Sequence, residues 1–303
     1  MLFWVPAPEV AQALDGLPGA EVRVVAPDGG PLPDGAGEVE FYVPPFFPGP
    51  VAIEVIPHLP KLRVVQTLTA GIDRFLPHMR PGVILCNARG VHDASTAEWV
   101  VAAILAAERD LPYFAGEQAG ERWSYRFTGN LATKTVLIVG YGSIGAAVEQ
   151  RLTGFEVDVR RVARRPREGV SGLDDLPALL PEADVVVILA PVTPDTIGMV
   201  DAAFLARMKD GALLVNAARG SLLVTGVLVA ELRAGRLRAA LDVTDPEPLP
   251  AGHPLWTAPG VFITPHVAAS TAVSVARGLV FVRAQAERFV TGQPLQNVIT
   301  GHY

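Results

Sequence analysis

Three short segments in the second half of the chain carry residue types that can act together on a carbonyl compound. They are Asn216-Ala217-Ala218-Arg219-Gly220, Asp242-Val243-Thr244-Asp245-Pro246-Glu247-Pro248-Leu249 and Thr264-Pro265-His266. Each stands at, or directly after, the end of an apolar run that reads as a strand (Ala212–Asn216, Ala239–Val243 and Val261–Thr264). In open α/β sheets ligands lie beyond the C-terminal ends of the strands, so a guanidinium, a carboxylate and an imidazole are expected to converge there. Reducing a 2-keto acid requires a cation for the carboxylate, a polariser for the carbonyl and a proton for the developing alkoxide. Arg219 is suited to the first two because its planar, permanently charged fork matches oxygen pairs. His266 is suited to giving the proton and, in reverse, to taking it. Glu247 can bond the other imidazole nitrogen and fix the ring's orientation. A lone Arg at a strand end, or a lone Glu beside prolines, is ordinarily a surface residue; order and spacing of the three together carry the reading.

A hydride donor is announced by Gly140-Tyr141-Gly142-Ser143-Ile144-Gly145. This G-x-G-x-x-G follows the apolar run TVLIVG and opens a helix predicted over Ile144–Leu152. The glycines allow a tight turn, close approach of a pyrophosphate and close helix–sheet packing, while the helix N-terminus offers unpaired N–H groups to the anion. The strand after it, Val157–Val162, should end in an acid if adenosine ribose hydroxyls are bound; Ala163 stands there, followed by Arg164 and Arg165. Two guanidiniums attract a 2′-phosphate where an acid would repel it. The cofactor expected is therefore NADP(H), with NAD(H) as the alternative and a pair of solvated surface arginines as the reading without function. Asp158 is the one candidate substitute acid. Arg160 and Arg161 are awkward in a strand that should be buried.

The elements that must position these groups are short β-branched runs separated by helical lengths. A first series comprises Leu2–Val5, Glu21–Ala26, Val39–Val43, Leu62–Thr67 and Val83–Asn87. A second comprises Thr135–Gly140, Val157–Val162, Asp184–Ala190 and the three strands that precede Arg219, Glu247 and His266. Near-continuous apolar strands alternating with helices imply parallel sheets covered on both faces. The fold class is thus α/β with two doubly wound domains, a Rossmann-type nucleotide domain inserted into a flavodoxin-like substrate domain. The substrate domain is assigned residues 1–94 plus 272–303 and the dinucleotide domain 95–271. Between the two series lies a predicted helix, Ser95–Arg109, capped by Ser95 or Thr96 and apolar nearly all round, which suggests burial between domains or subunits. The last helix, Thr271–Thr291, carries Val273, Val280, Phe281 and Ala284, and the tail GQPLQNVI reads as a return to the first domain. Pro27–Gly37 is a loop.

Composition narrows the classes. The chain has 303 residues, more than one ordinary core, and 50% are hydrophobic. No apolar run approaches the roughly 20 residues needed to span a bilayer, and the N-terminus lacks a basic n-region. A net charge of −6 argues against nucleic acid as a partner. The single cysteine, Cys86, excludes an intramolecular disulfide and a CxxC metal site, and no ligand spacing suggests a metal. A cytoplasmic enzyme is expected.

Taken together, the segments resemble the D-isomer-specific 2-hydroxyacid dehydrogenase family over nearly the whole chain, closest in type to its NADP-dependent glyoxylate/hydroxypyruvate reductases. VLIVGYGSIG, APVTPDTIGMV, LLVNAARGSLL, ALDVTDPEPLP and TPHVAAS are similar to its cofactor and catalytic segments in order. LRVVQTLTAGIDRF is similar to its substrate loop, GVHDASTAEWVVAAIL to its interdomain helix, and GQPLQNVI to its C-terminal signature. The resemblance implies that backbone N–H groups near Thr69, Ala70 and Gly71 hold the substrate carboxylate with Arg219. It implies that Pro191, Thr196, Ala217, Asp242 and Ala268 line the cofactor with the glycine turn and the two arginines, Asp242 holding the nicotinamide carboxamide. It also implies a homodimer formed through the nucleotide domains, with the segment around Trp123 reaching the partner's site. Two departures stand out: Val267-Ala268-Ala269 replaces Ile-Gly-Gly after the histidine, and Val224-Thr225-Gly226 replaces an acidic pair after the arginine motif.

Within that resemblance Glu247 argues against a formate dehydrogenase, which carries Gln there, and the absence of Lys from Thr69-Ala70-Gly71 against a phosphite dehydrogenase. A phosphoglycerate-type dehydrogenase would need a cation for the substrate phosphate, for which Arg63, Arg74 and Arg89 are the nearest bases. A non-catalytic NAD(P)-sensing scaffold of the same fold is the alternative outside enzymology, and a hydrolase on a related nucleotide fold is a third. Among single residues, His253 reads as a cap, His92 and Asp93 as structural groups near the hinge, His58, His78 and His302 as surface residues, and Trp4, Trp99 and Trp256 as core.

Overall fold

Every apolar run singled out above forms a parallel strand in the computed structural model, which describes residues 1–27 and 29–300. His302, and Asp28 of the Pro27–Gly37 loop, lie outside these described residues. In chain order the strands are β1 (Leu2–Val5), β2 (Glu21–Val24), β3 (Val39–Tyr42), β4 (Val64–Gln66), β5 (Ile84–Cys86), β6 (Thr135–Val139), β7 (Asp158–Val162), β8 (Val185–Ile188), β9 (Leu213–Asn216), β10 (Arg238–Leu241) and β11 (Val261–Ile263). The helices are α1 (Pro8–Ala13), α2 (Pro50–Glu54), α3 (Asp93–Glu108), α4 (Leu111–Ala119), α5 (Ser143–Leu152), α6 (Leu176–Leu179), α7 (Ala202–Arg207), α8 (Thr225–Arg233) and α9 (Ala272–Val290). They fall into two compact units: Met1–His92 with the segment from Ala272 onward, and Asp93–Thr271.

The first unit holds a parallel sheet in the order β2-β1-β3-β4-β5, the flavodoxin-like arrangement. Alternate residues serve two cores, as a pleat requires. Leu2, Trp4, Tyr42, Val65 and Leu85 pack on one face, and Phe3, Val5, Phe41, Val64 and Cys86 on the other. The second face is closed by α9. Ser274, Gly278, Val282, Gln285, Ala286 and Phe289 are buried, whereas Val273 and Val280 are 53% and 72% exposed. An added Cβ at Gly278 would meet only the side chains of Val91 and Leu68, at 3.9 and 4.0 Å, and of the helix's valines it is Val282 that is buried in this core. The tail after α9 runs back along the same sheet. The Ile299 N–H donates to Leu85 O at 2.9 Å and the Gln296 N–H to Gln285 Oε1 at 2.8 Å, while Gln285 Nε2 donates to Gln66 Oε1 at 2.8 Å. Burial pushes the Cys86 thiol beneath this network up to about 11.

The second unit holds six parallel strands in the order β11-β10-β9-β8-β6-β7. A dinucleotide fold places a third strand outside its second; here that strand is reduced to a single bridge between Val162 and Ser171 beyond β7. β7 is therefore close to an edge, and its exposures alternate. That resolves Arg160 and Arg161: on a half-covered strand Arg160 reaches the exposed Asp158 and Arg161 the part-buried Glu149 of α5. Leu137 and Val139 face one core, Val136 and Ile138 the other. Helix α3 starts at Asp93, so Ser95 and Thr96 lie inside it rather than at its cap, and Ser95 Oγ bonds Thr271 Oγ1 at 2.7 Å. Its apolar girdle is buried in this unit's own core, where Ala97, Val100, Val101, Ala103 and Ile104 pack with Val148 and Leu152 of α5. At its end the buried Glu108 pairs with Lys134 and, at 2.7 Å, with Arg238, so the charge is compensated as burial demands. Among the described residues no helix is long and apolar enough to cross a membrane.

Candidate active site

The glycine turn links β6 to α5, and its three glycines have three different reasons to lack a side chain. Gly140 has φ +102°, and a Cβ there would stand 2.3 Å from Ala190 N. Gly145 packs close, with Gly140 O and a methyl of Ile138 both 3.2 Å from an added Cβ. At Gly142 an added Cβ meets nothing within 4 Å. Neither the fold nor φ requires glycine at 142, and that open face lies at the N-terminus of α5, where unpaired N–H groups and the helix dipole favour an anion. The residues present thus fit a dinucleotide pyrophosphate.

Tyr141, between the first two glycines, is held by Glu149 and Arg167, which the sequence did not flag, and by Arg161, which stood out there only as awkward in its strand. Its hydroxyl donates to Glu149, which also pairs with Arg161. Hydrogen bonding from Arg161 holds the Glu149 carboxyl below its usual range, and burial together with the Glu149 bond pushes the Tyr141 phenol up. Arg167 Nη2 donates to Tyr141 O at 2.9 Å. Arg167 sits on a loop closed by Ala163 N–H to Ser171 O (3.0 Å) and Ser171 N–H to Arg161 O (2.9 Å), which carries Arg164 and Arg165 as well. Both of the latter are exposed and without a partner among the described residues. Asp158 is the first residue of β7, about 13 Å of strand from its C-terminal end, and pairs with Arg160 at 2.8 Å; it is not placed to act as the ribose acid.

Arg219, Glu247 and His266 follow three adjacent strands. In register, Asn216 of β9, Leu241 of β10 and Ile263 of β11 stand side by side. Arg219 and His266 each come three residues beyond that line. Glu247 comes six beyond, on a loop whose backbone touches the arginine turn: a Cβ on Gly220 would lie 2.0 Å from Thr244 O. Glu247 Oε1 is 2.6 Å from His266 Nδ1. A carboxylate can only accept, so Nδ1 carries the proton of that bond.

Two buried polar residues orient the turns. Asn216, 1% exposed, accepts from the Ala218 N–H (3.0 Å) and donates to Arg219 O (2.9 Å). Asp242, 2% exposed, accepts from Thr264 Oγ1 (2.6 Å) and the N–H groups of Val267 (2.9 Å) and Ala268 (2.9 Å). Oδ1 takes two of these bonds and Oδ2 one, so Oδ2 keeps capacity to accept from a further donor such as a carboxamide. His266 itself has φ +55°, a left-handed conformation uncommon for a side-chain-bearing residue. Its N–H donates to Asp242 O at 2.7 Å, so the backbone that aims the imidazole is fixed by the residue that fixes the rest of the turn. Thr196 likewise turns inward: its hydroxyl donates to Pro191 O (2.7 Å) and accepts from the Thr193 N–H (2.8 Å), shaping the loop after β8. Ala217 is half-buried and Ala268 buried.

Within the first unit, Thr69, Ala70 and Gly71 form the loop after β4. Thr67 Oγ1 donates to Thr69 O and Thr69 Oγ1 to Gly71 O, at 2.8 and 2.9 Å. Of the residues read as structural, His253 caps a turn by accepting from the Leu255 N–H (3.2 Å), and Trp4 is fully buried. Trp256 is not core: it is 53% exposed and its indole donates to Pro250 O at 2.9 Å, an arrangement that holds the proline-rich loop rather than filling space.

The model of the D-isomer specific 2-hydroxyacid dehydrogenases, NAD binding domain, matches residues 101–268. Glyoxylate/hydroxypyruvate reductase A of Yersinia enterocolitica is 33% identical over 240 residues, 75% of this chain and 77% of that protein. D-3-phosphoglycerate dehydrogenase of Archaeoglobus fulgidus is 31% identical over 259 residues, 82% of this chain, which spans only 49% of that relative's length. Among solved structures, NADPH-dependent glyoxylate/hydroxypyruvate reductase of Sinorhizobium meliloti, in complex with NADP and sulfate, superposes with a TM-score of 0.82 at 30% identity, covering 98% of this chain and 96% of that one.

Proposed function

The chain belongs to the D-isomer-specific 2-hydroxyacid dehydrogenases, and from that membership we propose that it transfers a hydride between NADP(H) and a small 2-keto acid/D-2-hydroxy acid pair of the glyoxylate or hydroxypyruvate type. The observation that carries the catalytic part is the 2.6 Å contact between His266 Nδ1 and Glu247 Oε1 beside the Arg219 turn. When bound, the nicotinamide supplies the hydride. Arg219 binds the substrate carboxylate and polarises the carbonyl. Glu247 takes Nδ1, so the proton given to the developing alkoxide is the one at Nε2 of His266, and oxidation returns it there. Asp242 and Asn216 position the turns that carry His266 and Arg219. Thr69, Ala70 and Gly71 offer backbone N–H groups to the substrate carboxylate.

Preference for NADP(H) is supported by Ala163 in place of an acid and by the two unpartnered guanidiniums that follow it. NAD(H) is the secondary cofactor. A small unphosphorylated acid is supported by the absence of a base from the loop Thr67-Leu68-Thr69-Ala70-Gly71 itself. Arg63 pairs with Glu40 at 3.2 Å and lies 4.7 Å over the Phe289 ring, Arg74 donates to Pro48 O at 3.1 Å, and Arg89 to Asn297 Oδ1 at 3.4 Å. Of these only Arg63 is neutralised by a carboxylate, so a phosphoglycerate-type substrate would have to draw on Arg74 or Arg89.

We further propose a homodimer through the nucleotide unit. After α4, residues alternate: Arg122 and Arg126 tie back to Glu117 (2.6 Å) and Asp110 (2.8 Å), while Trp123, Tyr125 and Phe127 are 100%, 81% and 90% exposed. Three aromatics presented on a tethered arm are an interface rather than a solvent face.

Steady-state rates for glyoxylate, hydroxypyruvate and 3-phosphohydroxypyruvate, each with NADPH and NADH, test the substrate reading. The expected order puts the unphosphorylated acids with NADPH first. A kcat/KM highest for the phosphorylated acid would favour the phosphoglycerate-type reading, and NADPH binding without any turnover would favour a nucleotide sensor.

A further inference from the structure

The loop after β4 has its peptide planes fixed from outside, and we infer that His92 is the positioning residue for the first of them, acting on substrate affinity without touching substrate. The inference rests on the proposal that the N–H groups of Thr69, Ala70 and Gly71 receive the substrate carboxylate. In a trans peptide the carbonyl of one residue and the N–H of the next point in opposite directions. Holding Leu68 O therefore aims the Thr69 N–H, holding Thr69 O aims that of Ala70, and holding Ala70 O aims that of Gly71. All three carbonyls are held. His92 Nε2 lies 2.6 Å from Leu68 O, the Ala88 N–H donates to Thr69 O at 2.9 Å, and Asn87 Nδ2 donates to Ala70 O at 2.8 Å. All three donors come from the single segment that follows β5.

His92 is the member of this set with a specific chemical requirement. It is 4% exposed, and the Phe46 ring packs edge-on against it with centroids 5.3 Å apart. A carbonyl oxygen only accepts, so Nε2 bears the hydrogen. The imidazole thus places one N–H at the end of a rigid, buried ring, at a distance no serine or asparagine reaches from the same Cα. A side chain that merely filled the space would leave Leu68 O without its donor, and the first plane of the loop would be free to turn.

Two substitutions separate the donor from the volume. His92→Phe keeps a ring against Phe46 and removes the N–H; His92→Gln keeps an N–H at comparable reach. His92→Phe should raise KM for the keto acid about tenfold, the upper range for one lost hydrogen bond, with KM for NADPH unchanged and kcat changed less than KM. His92→Gln should recover most of the loss. If the phenylalanine is not accommodated, His92→Met serves in its place. In parallel, the backbone amide resonance of Thr69 in the cofactor-free protein should shift or broaden in His92→Phe and return in His92→Gln. An unchanged keto-acid KM and Thr69 amide in His92→Phe would overturn the inference, as would a His92→Gln variant as impaired as His92→Phe. Failure of the functional proposal looks different: keto acid would then leave the Thr69–Gly71 amides of the unsubstituted protein unperturbed, while His92→Phe still moved Thr69.

Discussion

At the scale of single residues, what distinguishes this site is how few of its polar groups are left to chance. Glu247 fixes one imidazole nitrogen and so decides which proton His266 can transfer. Replacing His266 with Gln should lower kcat by about 10²–10⁴-fold, the range for a positioned acid–base group, while NADPH affinity is kept. Glu247→Gln can still accept through its amide oxygen but loses the charge that stabilises an imidazolium, so a smaller fall in kcat is expected. Equal losses from both would show that Glu247 does more than orient the ring. The cofactor claim sits at the same scale. Exchanging Arg164 and Arg165 for serine should weaken NADPH binding by about tenfold or more, from loss of charge-assisted hydrogen bonds, and leave NADH nearly unchanged; parallel titrations with the two cofactors decide it. The arginines, the glycines and the three candidate catalytic groups were legible in the sequence because each sits in a short motif at a strand end. Glu149 and Arg167 were not, and His92 was legible only as a structural group near the hinge, without its partner. Their partners are a tyrosine, a backbone carbonyl and a loop peptide at sequence separations of 8, 26 and 24 residues, and no local pattern announces such pairings.

At the scale of elements, the β6–α5 turn separates what folding needs from what binding needs. Gly140 has no room for a methyl group and a left-handed backbone besides, so Gly140→Ala should cost several kcal/mol, in the range of severe steric defects, and lower Tm by several degrees. Gly142 faces open space with φ −101°, so Gly142→Ala should change stability by less than about 0.5 kcal/mol yet weaken NADPH binding at least tenfold. Thermal melts with and without NADPH read both effects; a destabilised Gly142→Ala would mean that this glycine also serves the fold. Most strand positions were legible element by element, because short β-branched runs such as β6, β8 and β9, buried on both faces, leave no other period to follow. Helix faces were less so. Helix α9 buries Ser274 and Gly278 along with Val282 while Val273 and Val280 face outward, and α3 begins before its apparent cap, because tertiary packing outweighs propensity at a helix surface.

At the scale of the whole molecule, two parallel sheets of different strand order are built from one chain that leaves the first unit at Asp93 and rejoins it at Ala272. The insertion was readable from two strand series and a tail that repairs to the first. The loss of the third strand of the nucleotide fold, reduced to the Val162–Ser171 bridge, was not, since a missing strand leaves only a loop rich in arginine and proline. Assembly belongs to this scale too. If the arm carrying Trp123, Tyr125 and Phe127 is an interface, sedimentation velocity should find a dimer, and replacing the three aromatics with serine should shift it to monomer while the circular dichroism spectrum is retained. A dimer unaffected by those changes would place the interface elsewhere.

If the reading of the site holds, the protein directs a hydride from a bound dinucleotide to the carbonyl carbon of a small keto acid. NADPH carrying deuterium at its transferable C4 position, mixed with hydroxypyruvate and the protein, tests it most directly. The expected product is D-glycerate with the label at C2, formed at a rate that collapses in His266→Gln. Deuterium retained on the cofactor while NADPH binds normally, or label delivered at the same rate by His266→Gln, would contradict it.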